Sequence, residues 1–114
     1  MNLYKDLAVY LNNNNIDNFS IGQHEGKCTK PFIVIEEAGE QKESKYTLKI
    51  KNVDLVVFYP KGFYSELEDY VNNVVSIMEG YTRDVFTGNI SDVMIEADKE
   101  AYIVVLYYKV YKGI

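Results

Sequence analysis

The stretch from Phe63 to Tyr81, FYSELEDYVNNVVSIMEGY, limits what the rest of the chain can build. Apolar side chains fall at Leu67, Tyr70, Val71, Val74, Ile77, Met78 and Tyr81, the spacing of a helix with one broad buried face. Ser65 and Glu68 form an S-x-x-E box that predicts the helix start, and Glu66, Glu68 and Asp69 place negative charge where the helix dipole favours it. Gly80 supplies the expected stop, in the left-handed cap that glycine adopts without steric cost. The apolar face of such a helix needs a second layer, and nearly everything else after Ser20 reads as strand.

Asn2–Leu11 predicts a short first helix with Leu3, Leu7, Tyr10 and Leu11 on one face and Tyr4 and Ala8 on its flank. The run Asn12–Asn15 ends it, because asparagine competes for backbone hydrogen bonds and tolerates left-handed geometry. Phe19 and Ile21 suggest a short strand, followed by a polar loop from Gly22 to Thr29. Pro31 opens PFIVIEE, whose ungapped Phe32–Ile35 run suits a strand buried on both faces. Ala38–Ser44 reads as a turn or hairpin tip. Tyr46, Leu48 and Ile50 then alternate with Thr47, Lys49 and Lys51, and the alternation slips at Asn52–Asp54, where a bulge is expected.

Leu55–Tyr59 resumes as an apolar run, and Pro60–Gly62 turns into the long helix. After Gly80, Asp84–Thr87 predicts a short strand and Gly88 a break. Asp92–Ala97 and Ala101–Tyr111 predict a hairpin around Asp98, Lys99 and Glu100. Both faces of the last strand are apolar or aromatic, so one can cover the helices while the other needs more protein. The expected fold is a single α+β domain spanning residues 1–114. A mainly antiparallel sheet of about five strands carries two helices on one face, in the order α-β-β-β-α-β-β.

Composition narrows the function classes. At 114 residues there is room for one core. No apolar run is long enough for a membrane span, and the first residues lack the basic head and apolar run of a secretory signal, so a cytosolic protein with no membrane partner is expected. Net charge is −5 and the pI about 4.8, which disfavours sequence-specific nucleic-acid binding: Lys42, Lys45, Lys49 and Lys51 lie among or beside Glu40, Glu43 and Asp54. Cys28 is the only cysteine and His24 the only histidine, too few for a structural zinc site; a buried or half-buried thiol and a surface imidazole are expected.

No P-loop, G-x-G-x-x-G, G-x-S-x-G or H-E-x-x-H is present. Glu36 and Glu37 are adjacent in a strand and point to opposite faces, and Glu68 and Asp69 belong to a helix start. No catalytic, cofactor or metal residue is predicted, and the protein is not expected to be an enzyme. The chain offers surfaces instead. There are 11 tyrosines and no tryptophan, a balance that suits strands and interfaces alike. Glu40, Lys42, Glu43 and Lys45 form a charged hairpin tip, either a plain solvated loop or an arm that docks on a neighbour. Tyr102, Tyr107, Tyr108 and Tyr111 make the last strand a candidate subunit surface.

The layout as a whole resembles the tail terminator proteins of long-tailed phages, also called tail-completion or head–tail joining proteins, found in prophages and phage-tail-like bacteriocins. The resemblance runs through the short first helix, the asparagine-broken turn, the Pro31-Phe32-Ile33-Val34-Ile35 strand, the long charged hairpin, the single amphipathic helix and the closing hairpin. It implies a homo-oligomeric, hexameric ring that caps the tail tube, ends its growth and presents a surface to the head connector or sheath. It implies assembly in the bacterial cytoplasm and residence in the virion or tail-like particle, with no cofactor. It also implies that Glu40, Lys42, Glu43 and Lys45 lie near a neighbouring subunit or the tube protein. The acidic total would suit a lumen through which DNA slides. Two alternatives fit the same residues: another small head–tail adaptor, or a monomeric acidic binding module, immunity-type, that neutralises a partner protein.

Overall fold

The computed structural model describes residues 3–42, 48–81 and 84–113. Helix α1 (Leu3–Asn13) runs into the asparagine tract and stops there. Asn15 takes a left-handed φ of 64°, the Asn14 amide donates to Leu11 O at 3.0 Å, and the Asn14 side chain donates to Tyr10 O at 2.8 Å. These local bonds satisfy carbonyls that a helix end otherwise leaves open. The chain continues through β1 (Asn18–Phe19), β2 (Phe32–Lys42), β3 (Leu48–Pro60), helix α2 (Tyr64–Glu79), β4 (Asp84–Ile90), β5 (Met94–Glu96) and β6 (Ala101–Gly113).

The strands form one sheet in the order β1-β2-β3-β6-β4, with β5 also paired to β6. All pairings are antiparallel except β1 with β2, so the α+β architecture is as expected, with six strands and a mixed sheet. The chain passes from β3 through α2 to β4, and β6 later fills the place between them. Leu7 and Leu11 of α1 and Leu67, Val71, Val74 and Met78 of α2 pack against Ile33, Ile35, Val53, Leu55, Val57, Val104, Leu106 and Tyr108. In the sheet these residues follow the period-two alternation that puts them on one face. On the opposite face the segment after β1 folds back, and Cys28 joins Phe32, Phe58 and Ala101 in a second, smaller cluster.

Several local expectations are corrected. Ile21 does not extend β1; it sits in a turn, 68% exposed. Ala38–Lys42 are strand rather than a tip, while Glu43 and Ser44 of that expected tip, and Tyr46 and Thr47 of the next expected strand, lie outside the described residues. The bulge falls on β2 at Ala38, between the pairs Glu37–Val53 and Gly39–Asn52, and β3 runs through Asn52–Asp54 in unbroken register with β6. An extra residue on β3 would break two ladders at once. On β2 it disturbs one, because β1 pairs only with Ile33 and Val34. Likewise β4 continues through Gly88 to Ile90, with its register slipping between Phe86 and Ile90.

The ends of α2 also differ from expectation. Phe63 is the N-cap residue and makes no side-chain cap, so Ser65 lies inside the first turn and the S-x-x-E box is not formed. Glu66, at the third helical position, instead accepts a hydrogen bond from the Tyr59 hydroxyl at 3.1 Å. Gly80 has φ −81° and ψ −7°, a right-handed conformation open to any residue. What requires glycine is space: a Cβ there would lie 2.8 Å from the Tyr10 hydroxyl, which donates to Ile77 O at 2.6 Å. Gly80 thus lets α1 reach the last turn of α2.

Candidate functional site

Two surfaces at opposite ends of the sheet stand out. Strand β3 has 13 residues and α2 has 16. At about 3.3 Å per strand residue and 1.5 Å per helix residue, the strand is roughly 19 Å longer than the helix beside it. Because α2 begins just after Pro60, the excess lies at the other end, where Lys42 pairs with Lys49 and Leu48 with Gly113. The result is an arm of β2, β3 and β6 on a molecule 48 Å long and about half as wide. Among the described residues the arm region carries Lys42, Lys49, Lys51, Lys109 and Lys112 against Glu40 and Asp84.

The opposite end is acidic. Residues 61–69 and 92–100 hold Glu66, Glu68, Asp69, Asp92, Glu96, Asp98 and Glu100 against Lys61 and Lys99. Here a groove of about 500 Å³ runs between the first half of α2 and the segment leading from β4 to β5. Leu67, Val71 and Val104 form its apolar floor, and Tyr64, Ile90 and Val93 stand at its rim, each 43–53% exposed. Glu68 lies on the helix wall; on the other wall Asp92 sits between the lining residues Ser91 and Val93. Ser91 fixes that wall: its amide donates to Val105 O at 3.0 Å, and its hydroxyl accepts from the Val105 amide at 2.8 Å. Ile95, 61% exposed, pairs in register with Tyr102, whose ring packs 5.3 Å from Tyr64.

The predicted surface residues therefore divide. Glu40 and Lys42 belong to β2 in the arm, and Glu43 and Lys45 lie outside the described residues. Tyr111 pairs with Ile50 in the arm. Tyr102 borders the groove on the helix side, and Tyr107 is 36% exposed on the far face. Tyr108 is only 3% exposed and packs in the helix-side core, which removes it from the surface of the chain. The far face is less open than the strand pattern suggested, since the loop carrying Cys28 covers its Phe32–Phe58 end. Most of the exposed large apolar side chains described sit instead in residues 63–64 and 90–95. The groove went unseen in the sequence, although one signal was there: Tyr64 falls outside the helical stripe that the core uses.

His24 and Cys28 form a latch. The His24 ring stacks on Phe32 at 4.1 Å and meets Phe19 edge-on at 5.0 Å, so it is half-buried rather than the surface imidazole expected. The Lys99 ammonium lies 3.1 Å from His24 Nδ1 and donates to the carbonyls of His24 and Gly26 at 3.2 and 3.4 Å. The Cys28 amide donates to Lys99 O at 2.7 Å, tying the loop to the β5–β6 turn. Burial, then the Lys99 charge, hold the imidazole below its ordinary pKa. Burial pushes the Cys28 thiol up and Lys99 only partly offsets it, the reverse of what a nucleophilic thiolate needs. Among the described residues no three His, Cys, Asp or Glu side chains are grouped as a metal site requires.

No family model and no curated protein significantly matches the chain.

Proposed function

We propose that the protein is a structural subunit of a phage or phage-tail-like particle that closes into a ring on the end of the tail tube, stops its growth and presents a surface for head or collar attachment. The observation that carries this reading is the arm. A strand β3 that outruns α2 by roughly 19 Å carries the sheet beyond that helix, where a neighbouring protein can pack on it. The layout named above, a short helix, three strands, one amphipathic helix and a closing set of strands, supports the same reading. A net charge of −5 suits a ring whose opening passes DNA without adhesion.

One observation favours the alternative of a monomeric acidic binding module: the groove has an apolar floor and an acid on each wall, as a site for a basic partner would. The alternative of a head–tail adaptor shares the motif-free, oligomeric character and differs in stoichiometry. The deciding experiment is deletion of the gene in its particle-producing host, with tails imaged by negative stain. The ring reading expects tubes of uncontrolled, excessive length and, with purified protein added, rings seated on tube ends. Tubes of normal length in the deletion strain would refute it.

A further inference from the structure

We propose that the groove between α2 and the Ile90–Val93 wall receives the β2–β3 arm of a second copy of this chain, head to tail. The inference deepens the ring reading by naming the contact, and rests on it. Two independent features meet in it. The apolar rim of Tyr64, Ile90 and Val93 surrounds an apolar floor, and none of the described residues fills the space. The charge is segregated along the long axis: among the described residues five lysines stand against two acids in the arm region, whereas residues 61–69 and 92–100 hold seven acids against two lysines, with Lys27 paired to Glu100 at 3.3 Å. A groove with Glu68 on one wall and Asp92 beside the other is complementary to a lysine-bearing arm and repels a second acidic pole.

The chain cannot satisfy its own groove. The arm leaves the sheet at the end where β3 begins and β6 finishes; the groove lies toward the end where β3 finishes and α2 begins. Arm and groove are different patches, so the contact is heterologous. Repetition of a heterologous contact yields a closed ring when the rotation closes and an open filament when it does not. A two-fold dimer through the groove would instead bring two acidic walls together.

The test uses the full chain in mass photometry and sedimentation velocity, at low and high salt. Three variants are compared with the wild type: Lys49→Glu with Lys51→Glu in the arm, Glu68→Lys with Asp92→Lys at the groove, and all four together. Each pair alone is expected to weaken self-association about tenfold, and the combined variant to recover most of it. Val93→Arg, which places a bulky charge on the exposed rim, is expected to abolish association while the circular dichroism spectrum stays that of the wild type. Oligomers unaffected by either charge reversal, or a combined variant no better than the singles, would overturn the arm-in-groove contact and leave the ring reading standing. A wild type that stays monomeric at low salt, alone and with its tube protein, would overturn both.

Discussion

Gly80 and Tyr10 offer a sharp test of why the two helices meet as they do. In Gly80→Ala the new Cβ would sit 2.8 Å from the Tyr10 hydroxyl oxygen, closer than such atoms approach, so the phenol must withdraw and give up its 2.6 Å bond to Ile77 O. Losing that part-buried hydrogen bond costs about 1 kcal/mol. The cost stays moderate because the Gly80 amide also donates to Ile77 O, at 3.1 Å, and keeps that carbonyl satisfied. Alanine in a right-handed conformation returns roughly 0.4–1 kcal/mol by restricting the unfolded chain. Gly80→Ala should therefore destabilise by about 0–1 kcal/mol and Tyr10→Phe by about 1 kcal/mol.

In the Tyr10→Phe background there is no hydroxyl to displace, so Gly80→Ala should become stabilising by about 0.5 kcal/mol. The coupling between the two sites is then about −1 kcal/mol, measurable from urea unfolding followed by circular dichroism if the slopes of the transitions stay equal. A left-handed cap at Gly80 would make the alanine substitution equally costly in both backgrounds. That outcome, zero coupling with a fixed penalty, would refute the close-approach account.

Two further outcomes follow from the same geometry. The folded-state pKa of His24 lies below its unfolded value, so the unfolded chain takes up the proton first; stability is fully present above that unfolded value, near 6.5, and is lost as pH falls from there toward the folded pKa. Urea midpoints should drop between about pH 8 and about pH 5.5, and His24→Gln should remove part of that slope; a slope unchanged by the substitution would exclude His24 as its source. Tyr70 has a buried hydroxyl with no hydrogen-bond partner among the described residues, so Tyr70→Phe should be neutral or stabilising, by up to about 1 kcal/mol, where Tyr10→Phe is destabilising. A clear loss of stability in Tyr70→Phe would mean that the hydroxyl finds a partner.

What the sequence revealed was periodicity. The α2 stripe from Leu67 to Tyr81 records a single face, and it lies where the spacing put it; in β6 both faces are apolar, and only the fold assigns Val104, Leu106 and Tyr108 to the helix side. What it hid depends on neighbours remote in the chain. The slip at Asn52–Asp54 is visible in β3, yet the extra residue is Ala38, because the register is set by a partner strand. Gly80 looks like a left-handed cap until Tyr10, seventy residues earlier, is placed against it. Ser65 and Glu68 match a capping box, but the first turn is fixed by Phe63 and by the Tyr59–Glu66 bond. The groove is the extreme case: its walls come from α2 and from the link between β4 and β5, and no local pattern marks a cleft made by two such segments.

Strand β6 occupies the slot between β3 and β4 and follows both of them in the chain. Until residues 101–113 emerge from the ribosome, β3 has one bare flank, β4 and β5 have nothing to pair with, and Leu7 and Val74 face a sheet missing its middle. The nascent chain therefore cannot close its interior stepwise from the first residue onward. Folding waits for the insertion of β6, which zips several ladders at once, an all-or-none event dominated by distant pairings and correspondingly slow. During that wait the uncapped β3 flank is the part of the molecule most open to pairing with the wrong chain.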